Sequence, residues 1–127
     1  MDSRQTLEQV NRAMIGFDLV LGAAALLAPR PTLRALGHDD PSPDAEHLFR
    51  RCAPIWLTFV GAHAVAAARG APRDWWALAW LRGTEVATDV VWSRSAAWSR
   101  TGARPGLWAA GLANLAMAIG FGALARR

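Results

Sequence analysis

An all-α fold, a bundle of four transmembrane helices with a short interfacial helix after the first span, is what this sequence predicts. Three observations predict it. Apolar residues make up 53% of the 127 residues before the 11 Gly are counted, whereas a soluble domain reaches about 45–50% with Gly included. They fall into four segments separated by Pro, Gly and charge. The cations gather near the segment ends, where membrane proteins keep them, and for that reason the mean hydropathy is only +0.13. A chain this long forms one domain, 1–127, with spans at about 10–28, 51–69, 74–94 and 106–125.

The first helix starts near Ser3 or Thr6, because Thr6 followed by Gln9 fits a capping box, and runs to 28. Asp18 interrupts its apolar stretch, and Asp2 and Glu8 flank it beside Arg4 and Arg12. That pattern reads as a retained helix rather than a cleaved signal peptide. Pro31 opens a short amphipathic turn that continues to Leu36 and closes at Gly37, expected at the interface. Ser42 is the N-cap of the second helix, with Pro43 in the first turn and Asp44 and Glu46 near the positive end of the dipole. This helix runs to 69, with a kink expected at Pro54. Gly70, Ala71 and Pro72 make a tight connection to the third helix, 72–95, the most polar of the four. The fourth, 105–125, has about 20 residues without a charge, which at roughly 1.5 Å each matches the hydrocarbon thickness.

The charge carries little functional information. The net +4 rests on Arg alone, since there is no Lys. A pI of 11.2 would suit a nucleic-acid binder, but cations clustered at helix ends argue for a lipid bilayer and no nucleic acid. Arg4, Arg12, Arg69, Arg73, Arg126 and Arg127 fall on one side of the predicted bundle. Arg30, Arg34, Arg50, Arg51, Arg94, Arg100 and Arg104 fall on the other. Six against seven is no bias, so orientation is open. The single Cys52 excludes an internal disulfide.

The third helix holds the chemistry. At about 100° per residue, Arg82, Glu85 and Asp89 share an arc of roughly 60°, with Trp75 and Trp92 at its edges and Leu78 inside it. Trp76, Trp80, Ala87 and Val91 fall opposite. Ionisable groups within a span cost about 2.5–3.5 kcal/mol each and normally face the bundle interior. Matching stripes run along the first helix (Asn11, Asp18, Gly22, Ala25) and the second (Cys52, Trp56, Phe59, His63). In the fourth, Ala110, Asn114, Ala118 and Gly122 form a small-residue ridge that permits close approach. Turning all four inward makes one polar pocket, with Asp18, His63, Arg82, Glu85 and Asp89 as candidate catalytic residues. Trp56, Phe59, Trp75, Trp92 and Asn114 are the candidate substrate-binding residues.

Charge balance sharpens this expectation. Arg82 neutralises one carboxylate and a protonated His63 a second, which leaves one of the three acids without a counter-charge. A neutral acid beside an ionised one is what general acid–base work requires. Blander readings exist: Arg82 with Glu85 at i+3 also fits a packing ion pair, and Trp98 and Trp108 fit an interfacial belt. No spacing such as His-x-x-x-His supports a metal, and no phosphate loop, nucleophile elbow or dinucleotide fingerprint is present. No metal and no cofactor are therefore expected, although His63 with two or three carboxylates could ligate a hard or borderline ion.

Two stretches carry a resemblance. Leu26-Leu27-Ala28-Pro29-Arg30 runs into Leu33-Arg34-Ala35-Leu36-Gly37, and Leu81-Arg82 leads through Glu85 to Asp89. With its overall layout, the chain resembles small four-helix bacterial membrane proteins of the DoxX-like, uncharacterised integral membrane type. The resemblance implies a multi-pass protein of the cell membrane and implies the fold more than any activity.

Three functions fit these residues. The leading expectation is an intramembrane enzyme, an isomerase or cyclase acting on a lipophilic small molecule. Glu85 and Asp89 would be its acid and base, Arg82 would set their charge, and Asp18 and His63 would orient substrate or shuttle the proton. A proton-coupled carrier, as a homo-oligomer, would use the same acids. A non-catalytic membrane subunit would use the stripe to hold a partner's helices.

Overall fold

A computed structural model describes residues 2–95 and 103–126. Trp98, Arg100 and Arg127, which entered the belt and charge readings above, lie outside them. The described residues form five helices and no strand: α1 (Ser3–Leu27), α2 (Pro29–Ala35), α3 (Pro43–Arg69), α4 (Pro72–Ser93) and α5 (Ala103–Leu124).

Local chemistry sets the boundaries. Asp2, not Thr6, caps α1: its carboxylate accepts from the Arg4 amide at 3.3 Å, and its carbonyl accepts from the Thr6 amide at 3.0 Å. The predicted turn at 31–36 is a helix that starts earlier, at Pro29. Proline at the first helical position loses no hydrogen bond there and has φ preset for the helix, and Ala28 breaks from α1 at φ −139° and ψ 58°. Ser42 caps α3 as expected, its hydroxyl accepting from the Ala45 amide at 3.2 Å. Gly70 ends α3 in the left-handed region at φ 60°, a conformation glycine adopts without a Cβ penalty. Pro54 lies within α3 without ending it.

The four long helices run up and down. α1 lies antiparallel to α3, and α4 to α5, as two closely packed pairs that meet along a thinner seam between α3 and α4. One apolar cluster, with Ala66, Trp75, Leu78, Met117 and Phe121, fills the end near the chain termini. A second, with Ala25, Leu33, Phe49, Ala53 and Trp56, fills the end under α2. Between them lies a polar layer in which Asn11, Asp18, His63, Arg82, Asp89 and Asn114 are all buried.

Two of these helices, α1 and the segment Arg104–Leu124, are long and apolar enough to cross a membrane. α3 and α4 match them in length but carry more polar residues, His63 and Arg69 in one, Arg82, Glu85 and Asp89 in the other. An average over a helix counts such groups whichever way they point.

Candidate functional site: a cavity beside a buried charge cluster

The stripe of α1 read from the sequence is its buried face: Asn11, Asp18, Gly22 and Ala25. Gly22 lets α1 approach α3 closely, since a Cβ there would lie 3.1 Å from the Leu57 side chain and 3.3 Å from the Ala53 carbonyl. That approach brings Asp18 and Asn11 against His63.

A chain of hydrogen bonds results. Asp18 Oδ2 accepts from Arg82 Nη2. The same guanidinium reaches His63 Nε2 through Nε at 3.2 Å and Nη2 at 2.6 Å, and lies over the Phe59 ring at 5.0 Å. His63 Nδ1 meets Asn11 Oδ1 at 2.6 Å, while Asn11 Nδ2 donates to the His63 carbonyl at 3.0 Å. Arginine has no acceptor, so Nε2 must be the bare ring nitrogen and Nδ1 must carry the hydrogen. The ring is neutral in this arrangement.

This revises the charge balance drawn from sequence. His63 is not a second cation, and Arg82 turns from its i+3 neighbour Glu85 to Asp18, which comes from another helix. Glu85, half-buried, makes no side-chain hydrogen bond or ion pair among the described residues. Asp89 Oδ2 accepts from Asn114 Nδ2 at 3.0 Å, with Gly111 of α5 packed against its Cβ. Two carboxyl groups, not one, therefore stand without a cation at ion-pair distance among the described residues.

Both line a cavity of about 580 Å³, within the range of small-molecule sites. Asp18, Arg82, Glu85, Asp89 and Asn114 form its polar wall, with Trp56 and Trp92 beside them. Met14, Phe17 and Leu21 of α1 face Leu107, Ala110 and Met117 of α5 across it, and Leu36 and Gly37 close one end.

Most of the site residues expected from sequence thus meet at one place. His63 and Phe59 are not in the cavity wall but lie behind it, supporting Arg82. Trp75 is elsewhere: it stacks on Phe121 at 5.7 Å and its Nε1 donates to the Gly70 carbonyl at 3.2 Å. Its place on the edge of the polar arc reflected rotation about the helix but not height along it, and Trp75 lies two turns from Arg82. Asn11 is the residue the site reading left out, although it shares the Asp18 stripe seven positions earlier. The apolar wall from α1 and α5 had no signal beyond hydrophobicity.

Comparison with known proteins finds no matching family model, no matching curated protein and no matching solved structure.

Proposed function

We propose that the chain crosses a cell membrane as a four-helix bundle and that its cavity performs acid–base chemistry on a lipophilic molecule, an isomerisation or a cyclisation. The membrane part rests on the outer surface. Phe17, Val20 and Leu27 of α1, Ile55 and Val65 of α3, Trp76, Trp80 and Val91 of α4, and Trp108, Leu112 and Ile119 of α5 are all exposed. His63 of α3 and Arg82 and Asp89 of α4 point inward, while Arg50, Arg51, Arg69 and Arg73 of the same helices are exposed. Exposed hydroxyls bond back to their own helices, Thr58 to the Pro54 carbonyl at 2.8 Å and Thr84 to the Leu81 carbonyl at 2.7 Å, which suits lipid-facing positions. Kinship with the DoxX-like proteins belongs to the same proposal.

One observation carries the chemistry: Glu85 and Asp89 share the cavity wall one helical turn apart, with no cation at ion-pair distance among the described residues. Two such carboxyls hold one negative charge more cheaply than two. One is then an acid and the other a base, both facing the same apolar volume. A ligand held there gains a proton from one and returns a different proton to the other, which moves a double bond or closes a ring with no net proton change. Arg82, occupied by Asp18 and His63, holds this wall in place, and Trp56 and Trp92 line the same volume, where an indole suits a developing positive charge.

The test is isotopic. Protein in lipid nanodiscs, incubated in D₂O with a total lipid extract, should place deuterium on carbon in at least one extract component. Mass spectrometry should find that label gone with Asp89→Ala or Glu85→Gln while the protein stays folded. Absence of any protein-dependent label in the wild type would refute the reading.

A second reading, a proton-coupled carrier, is favoured by one further feature. A small notch of about 90 Å³, with Glu8, Asn11 and Arg12 in its wall, lies on the far side of the Asn11–His63 pair from the main cavity. Substrate-dependent proton flux in sealed vesicles, without carbon-bound deuterium, is the outcome that selects it.

A further inference from the structure

The two outer helices of the bundle, α1 and α5, are not parallel neighbours along their length. At one end they touch: a Cβ on Gly120 would come within 2.5 Å of the Leu7 side chain, and Leu7, Val10 and Met14 pack on the cluster that holds Met117 and Phe121. Toward the other end they part, and the cavity fills the gap. Its edges are Phe17 on α1, 58% exposed, and Gly106, Ala110 and Ala113 on α5, all exposed cavity-wall residues. The gap is a wedge on the apolar flank of the bundle, bordered on one side by residues too small to cover it.

The inner wall has a distinct chemistry. Asp18 lines the cavity and is fully buried, and its Oδ1 has no hydrogen-bond partner among the described residues while Oδ2 is held by Arg82. A carboxylate ionised against an arginine can only accept. A buried acceptor left unmatched is costly, and Glu85 and Asp89 add two more carboxyls to the same wall, so a molecule that brings a donor suits it.

We infer that the ligand is a single-chain amphiphile with a hydrogen-bond-donating head, a hydroxyl or an amine, which enters sideways from the bilayer through the α1–α5 wedge. The head reaches Asp18, Glu85 and Asp89, and the alkyl chain stays between Phe17 and the small residues of α5. The inference rests on the cavity being the lipophilic site proposed above, and it adds the route and the head-group chemistry.

The experiment measures retention of three radiolabelled probes by the protein in nanodiscs, relative to empty nanodiscs: 1-dodecanol, dodecylamine and dodecyl methyl ether. The alcohol, the amine or both should be retained at least tenfold over the ether, which can accept but not donate. An amine that outdoes the alcohol identifies a cationic head, and the reverse a neutral one. Ala113→Trp and Ala110→Trp, at exposed edge positions, should each cut retention tenfold without lowering the Tm. Equal retention of the ether overturns the donor preference, and undiminished retention by both Trp variants overturns the lateral route. Those results leave the deuterium experiment untouched. Conversely, probe retention that follows this pattern in a protein that places no deuterium on carbon removes the acid–base reading and keeps this one.

Discussion

Asp18, Arg82, His63 and Asn11 form one continuous contact across α1, α3 and α4, and each depends on the next for a protonation state or an orientation. Removing one member of a buried ion pair strands the other and costs about 3–5 kcal/mol, whereas replacing both by apolar groups of similar size is often nearly neutral. Asp18→Leu should therefore lower stability by about that amount in detergent, and Asp18→Leu with Arg82→Met should recover most of it. Thermal unfolding of the two variants decides this: equal losses would mean that the pair is not a unit. At the other end of the contact, Asn11→Ala leaves the His63 Nδ1 hydrogen and the His63 carbonyl without the bonds they now make. It should cost about 1–3 kcal/mol, the usual effect of an orphaned buried polar group. Asn11→Gln should not restore the loss, because the longer amide cannot serve both atoms from the same backbone position. Full stability of Asn11→Ala in the same unfolding measurement would remove Asn11 from the network.

At the scale of the helix, Gly22 sets how close α1 comes to α3. A side chain there meets Leu57, which can yield, and the Ala53 carbonyl, which cannot. Gly22→Leu should push the helices apart and destabilise by about 1–3 kcal/mol, the common cost of overpacking, and Leu57→Ala should only partly relieve it. Relief to wild-type stability, read from the same melts, would show that the backbone contact is irrelevant. The inner faces of α1 and α4 were legible in the sequence because each mixes polar groups with apolar ones, and 3.6-residue periodicity then fixes the rotation. α5 was not legible in the same way. Past Arg104 it is apolar all round, with Asn114 as its single polar marker, so of the ridge Ala110, Asn114, Ala118 and Gly122 only Asn114 and Gly122 are buried. The buried face also takes in Gly111, Met117 and Phe121, chosen by ring packing of Phe121 on Trp75 and His63. The partner of Arg82 was illegible for another reason. Periodicity offers Glu85 one turn away, but Asp18, from a different helix, competes for the same guanidinium, and only packing decides between them.

Over the whole molecule, Asp18, Asp89, Arg82 and His63 lie inside and indole, leucine and valine side chains are exposed along the helices, while every other described arginine is exposed. Stable soluble monomers rarely expose apolar patches beyond a few hundred Å², and the exposed apolar side chains of α1 and α5 belong to the two helices long and apolar enough to cross a membrane. In a bilayer it is the expected arrangement, and α4 is the element on which the claim of four spans turns, because it contributes both extremes. Trp80 is 74% exposed near the middle of α4, on the side away from Arg82. If that face meets hydrocarbon, Trp80→Arg places a cation where insertion costs about 2.5–3.5 kcal/mol, which reduces membrane integration by roughly two orders of magnitude. Leu112→Arg, at a comparable place on α5, should do the same, since α5 is a spanning candidate by composition alone. The wild type should resist alkaline carbonate extraction from membranes, and both variants should be released or degraded. If Trp80→Arg remained integrated while Leu112→Arg did not, α4 would lie outside the lipid. The carboxyls it carries would then face water, and an acid–base site shielded from solvent would have no place to form.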